Sequence, residues 1–137
     1  MISSEKKHCI IELLIHMALR DTEVGMVRSN MLLNKIMICG ISMEEYKFYV
    51  SAYYLHKHLI TDETVFIKNL LQRIDTKENI GIFAHCIDLA WCSEMTPEKK
   101  DFFKLLSLEL NICEEDYRAA MFLTGQKYLI QMEIFLS

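Results

Sequence analysis

The sequence predicts an all-α protein: a single-domain bundle of seven or eight helices with an internal pseudo-repeat, spanning residues 1–137. Three observations carry this. First, only four glycines and one proline occur in 137 residues, so the breakers that sheet-rich folds need at their turns are scarce. Second, apolar residues recur at three-and-four spacing between short polar segments that read as helix starts. Third, two parts of the chain align at a constant offset of 71 residues, the separation of Glu23-Val24 from Glu94-Met95. Met31-Leu32 then falls on Phe102-Phe103, Met37 on Leu108, Cys39 on Leu110 and Gly40-Ile41 on Asn111-Ile112, closing as GISMEEY against NICEEDY. The repeat units are about 4–58 and 76–124, packed face to face rather than stacked, with a further C-terminal helix over 126–136.

Taken in order, Ser3 or Ser4 caps a first helix whose stripe is Ile10, Leu13, Leu14, Met17 and Ala18 and which runs to about Arg20. Asp21-Thr22-Glu23 is a polar turn. A second helix from about Gly25 carries Met26, Met31, Leu32, Leu33, Ile36 and Met37, and Gly40 stands where a helix-ending left-handed residue is usually glycine. Ser42-Met43-Glu44-Glu45 supplies a hydroxyl cap, an acid three residues on and charge that suits the helix dipole. The third helix bears Tyr46, Phe48, Tyr49, Val50, Tyr53, Tyr54 and Leu55, a broad aromatic face that predicts a central, well-buried helix. Four tyrosines and Phe48 nearly encircle it, so part of that face should reach the surface and suit a protein partner.

Thr61 or Asp62 opens a fourth helix to about Ile74. Thr76 to Asn79 opens a fifth through Ile82, Phe83, Cys86, Ile87 and Ala90. Thr96-Pro97-Glu98 is the clearest boundary: a side-chain cap, a residue with no amide to lose at the first helical position, and an acid at the dipole's positive end. The sixth helix follows with Phe102, Phe103, Leu105, Leu106, Leu108 and Leu110. Cys113-Glu114-Glu115-Asp116 opens a seventh, which Gly125 breaks or kinks. Its tail, with Tyr128, Leu129, Met132, Ile134 and Phe135, reads as an amphipathic helix returning to the core.

The net charge of −4, with Lys and Arg interleaved among acids, offers no basic patch for a nucleic-acid backbone. No apolar run reaches the ~18 residues that span a bilayer, and the first twenty residues lack a cleavage-site pattern. Cys9, Cys39, Cys86, Cys92 and Cys113 are odd in number and widely separated, which fits reduced thiols in a cytoplasmic protein.

With those turns in view, the chain resembles the tellurite-resistance TerB-like family. The residues that carry the resemblance are Ala18-Leu19-Arg20-Asp21-Thr22-Glu23-Val24 and Leu89-Ala90-Trp91-Cys92-Ser93-Glu94-Met95-Thr96-Pro97-Glu98, together with Gly40 to Glu45 and Asn111 to Asp116. Thr22 and Ser93 stand where the family has glycine, Cys92 where it has aspartate, and Arg28 where it has an acid. The resemblance implies an all-helical pseudo-repeat domain, also found attached to J-domain co-chaperones, and divalent-metal binding through acids. Asp21, Glu23, Glu94 and Glu98 are the ones left to provide it.

The residues themselves offer a second metal arrangement. Cys9, Glu12 and His16 share one helix face at i, i+3 and i+7, and His85, Asp88 and Cys92 repeat that spacing. Packed side by side, the two helices would bring six groups of metal-ligand type together. The plainer reading makes the cysteines small hydrophobes, Glu12 and His16 a four-apart pair, and the turn acids helix caps. No phosphate loop, nucleophile elbow or HExxH occurs, so no catalytic residue and no cofactor is expected. The expected function is a non-enzymatic, stress-associated binding or scaffold module with a protein partner or a second copy of itself. The alternatives are a divalent-metal-binding protein and a small helical binder of an apolar ligand.

Overall fold

A computed structural model describes residues 4–20, 25–74, 77–91 and 94–136. Within them lie seven α-helices: α1 Ser4–Leu19, α2 Met26–Ile38, α3 Met43–His56, α4 Glu63–Ile74, α5 Asn79–Ala90, α6 Pro97–Glu109 and α7 Glu114–Leu136. A single 3-10 turn, Lys57–Leu59, follows α3. No strand occurs among the described residues, so the all-helical class holds. No described helix is long and apolar enough to cross a membrane. The chain forms two compact units, Met1–Thr76 and Lys77–Ser137.

In the first unit α1 is the hub, packing on α2, α3 and α4. Every residue from Leu13 to Leu19 is buried, along with Cys9 and Ile11. A helix apolar on all sides has no solvent face to offer and must be surrounded. The expectation that α3 would be the central buried helix is therefore corrected: α3 buries none of its residues completely. Phenol rings carry a polar tip and can sit at an interface, whereas the aliphatic run on α1 cannot. Around α1, α2 contributes Leu32 and Ile36, and α4 contributes Ile67, Leu70 and Ile74. Each fully buried aliphatic side chain of this kind stabilises by about 1.5–3 kcal/mol relative to exposure.

The helix ends follow from local chemistry. Ser42 Oγ accepts the amide of Glu45 at 3.1 Å, and Asp62 Oδ1 accepts that of Val65 at 3.2 Å. Gly40 closes α2 with φ of 82°, the left-handed region in which a Cβ is strained. Asn111, which the 71-residue offset places on Gly40, adopts φ of 57° after α6. Asparagine is the residue that best tolerates that region after glycine.

In the second unit α5 packs on α6 and α7, with Phe83, Ile87, Phe103 and Leu106 fully enclosed. Thr96 Oγ1 accepts the amide of Lys99 at 3.2 Å, with Pro97 at the first helical position. Asn79 Nδ2 donates to the carbonyl of Leu110 at 2.8 Å, tying the end of α6 to the start of α5. Gly125 does not break α7, which is continuous to Leu136. Its missing side chain serves contact instead: a Cβ there would lie 3.0 Å from the ring of Trp91. The tail also departs from expectation. Ile134, Phe135 and Leu136 are 70–82% exposed, so this segment does not return to the core. Its apolar residues surround the helix, and no single stripe directs one side inward.

Candidate binding cleft between α1, α3 and α4

The first unit contains a cleft of about 270 Å³ walled by α1, α3, the segment after it and the start of α4. Ile15, Phe48, Ala52, Ile60 and Phe66 supply its apolar lining, and His8, Glu12, Tyr49, Tyr53 and His56 its polar groups. Four-residue spacing places Tyr49 and Tyr53 one above the other on α3, and His8, Glu12 and His16 likewise on α1. This register produces the same arrangement twice. His8 Nδ1 lies 2.8 Å from the Tyr49 hydroxyl, and its Nε2 lies 2.8 Å from Glu12 Oε1. His16 Nδ1 lies 2.9 Å from the Tyr53 hydroxyl, and its Nε2 lies 2.8 Å from Glu63 Oε2.

A carboxylate can only accept, so in both cases Nε2 carries the proton. While the imidazole is neutral, Nδ1 is then an acceptor and the tyrosine hydroxyl donates to it. The second relay is the more deeply set, because His16 is only 3% exposed. Its ring also packs 4.8 Å from that of Phe66. Glu63 is anchored by Arg20, which donates from Nε to Oε2 and from Nη2 to Oε1, each at 2.7 Å. This two-pronged pairing is the strong form of the arginine–carboxylate contact. Burial alone would raise the Glu63 carboxyl, but the Arg20 and His16 hydrogen bonds and charges outweigh it and hold the group down at about 2. Burial, followed by the neighbouring Glu45 and Glu12 charges, pushes the Tyr49 phenol up, so its hydroxyl keeps its proton. Lys57 completes the frame by donating to the Leu19 carbonyl at 2.6 Å, where the end of α1 leaves carbonyls without helical partners of their own.

The metal-ligand candidates are placed as follows. Asp21, Glu23 and Cys92 lie outside the described residues. Glu94 and Glu98 are both exposed, beside the start of α6, and the Glu94 carbonyl accepts from Lys99 Nζ at 3.0 Å. Cys9 and Cys86 are buried thiols. Glu12 pairs with His8, one turn back, rather than with His16. Asp88 holds Lys127 of α7 at 2.9 Å, and His85 on the same helix is exposed. Among the described residues no group of three His, Cys, Asp or Glu side chains is set to hold a metal ion.

Sequence reasoning named His16 and Glu12 but missed their partners: His8 beside Glu12 in one relay, and Tyr53, Glu63 and Arg20 around His16 in the other. The four-residue steps His8–Glu12, His16–Arg20 and Tyr49–Tyr53 were visible; that α4 would bring Glu63 to α1, 43 residues from Arg20, was not. Fold and site together define an all-helical protein with an aromatic, hydrogen-bonded cleft. No protein-family model matches the chain, and no curated protein or solved structure matches it.

Proposed function

We propose that the chain is a non-enzymatic binding module of the stress-associated, TerB-like kind, and that the cleft between α1, α3 and α4 is where it engages a protein partner. The observation that carries this is the state of α3. It bears five aromatic side chains and buries none completely, leaving Phe48 70% and Tyr54 52% exposed. Exposed aromatic groups beside a preformed cavity are what partner-binding centres are built from. The histidines are spent on orienting the tyrosine wall, which suits recognition. The TerB-like part of the reading rests on the turn and repeat motifs alone.

Affinity capture with the full chain, wild type against Phe48→Ser, tests it. A defined protein captured by the wild type and lost with Phe48→Ser, at unchanged helicity and melting temperature, is the expected result. Identical captured sets would end the assignment of the partner to this cleft.

A further inference from the structure

Glu12 stands at the cleft as an anion beside aromatic rings. Its Oε1 is engaged by His8, and no bond to its other carboxylate oxygen occurs among the described residues. The side chain is 39% exposed, so that oxygen can be reached. Phe48, Tyr49, Tyr53 and Phe66 surround the same space with ring surface. The Tyr49 proton is directed to His8, so its phenolic oxygen presents acceptor capacity to an incoming group. Together these features define a chemical preference. A ring face attracts a cation through its quadrupole, a carboxylate does so through charge, and an apolar lining accepts a hydrocarbon stem.

The charged groups nearby are consistent with that preference. Arg20 is tied to Glu63, and Lys57 is tied to the Leu19 carbonyl while its ammonium lies 6.0 Å from the Tyr53 ring centroid. That contact is the same cation-on-aromatic chemistry within the protein itself. Neither cation lines the cleft, whose titratable groups are His8, Glu12, Tyr49, Tyr53 and His56. The chain as a whole carries a net charge of −4, which also favours a positively charged ligand.

From this we infer that the cleft binds a primary alkylammonium group on a short apolar stem, with the ammonium at Glu12 and Tyr49 and the stem among Ile15, Phe48 and Phe66. The inference rests on reading the cleft as a binding site; on a protein partner, the group is a lysine side chain. A neutral group of the same shape satisfies the lining but offers no positive charge to the second carboxylate oxygen, so charge decides.

The test is an NMR titration of the full chain with n-butylammonium chloride and, separately, with n-butanol at matched salt. The expected result is saturable movement of the Tyr49 and Tyr53 ring signals by n-butylammonium, at concentrations at least about tenfold below those n-butanol requires. Glu12→Gln should remove most of that difference without changing the melting temperature. Equal response to n-butanol on the unaltered chain, which needs no variant, overturns the inference, as does an unchanged Glu12→Gln titration. A lysine-centred peptide and its norleucine counterpart separate the two sources of the cation. Lysine-dependent binding of the peptide supports a partner's side chain. Binding of n-butylammonium without binding of the peptide keeps the ammonium site and removes the protein-docking reading.

Discussion

Glu63 is the residue on which the deeper of the two relays depends. Its carboxylate takes two bonds from Arg20 and one from His16, and its ionisation is held at about 2 against an ordinary 4.5. The group is depressed in the folded state, so its contribution is fully present above the unfolded value and disappears as pH falls from about 4.5 through about 2. The carboxylate is one-third exposed, and solvent screening brings the full linkage down to about 1–2 kcal/mol. Denaturant unfolding at pH 7 and at pH 2.5 should therefore show the wild type losing about that much more than Glu63→Gln. Equal acid losses would mean that Glu63 is not held as an anion by this network. None of this was legible locally. Nothing in the sequence around α4 singles out Glu63, because its partners come from a helix more than forty residues earlier.

At the scale of elements, the two helical glycines make opposite predictions. Gly81 lies in the first turn of α5 with nothing within 4 Å of an added Cβ. Gly81→Ala should stabilise by about 0.5–1 kcal/mol through helix propensity. Gly125 faces Trp91, whose ring is 6.2 Å from that of buried Phe103 and has little room to yield. Gly125→Ala gains the same propensity but overpacks this contact, at about 1–3 kcal/mol. Its melting temperature should fall while that of Gly81→Ala rises, as thermal unfolding will show. Helix positions were legible from the sequence because caps are local. Ser42, Thr96-Pro97 and Gly40 act within one turn of themselves, and each sits at a boundary the structure also has. Burial was less legible. The aromatic face of α3 looked like core, yet the aliphatic run on α1 took that place, since only tertiary packing decides which of two apolar helices is enclosed.

Over the whole molecule, the distribution of apolar surface separates what folds the chain from what it displays. Phe83 and Phe103 are fully enclosed, and truncation of either to alanine should cost about 3–5 kcal/mol in denaturant unfolding. Ile134→Lys and Phe135→Lys, at positions 70% and 82% exposed, should change stability by no more than about 0.5 kcal/mol. A large loss from the latter pair would mean that the α7 tail is buried in solution. The all-helical class was readable from sparse glycine and proline together with repeated capping grammar. Which residues would meet in space was not, because the cleft draws on α1, α3 and α4 at separations that no periodicity encodes.

The cleft beside α3 is, on the reading proposed above, the surface the protein uses. A photoreactive phenylalanine analogue at Phe48 tests this most directly when compared with the same analogue at Ile38, which is 86% exposed on α2. A discrete cross-linked protein adduct is expected from position 48 and none from position 38. No adduct from position 48, or the same adducts from both positions, would contradict it.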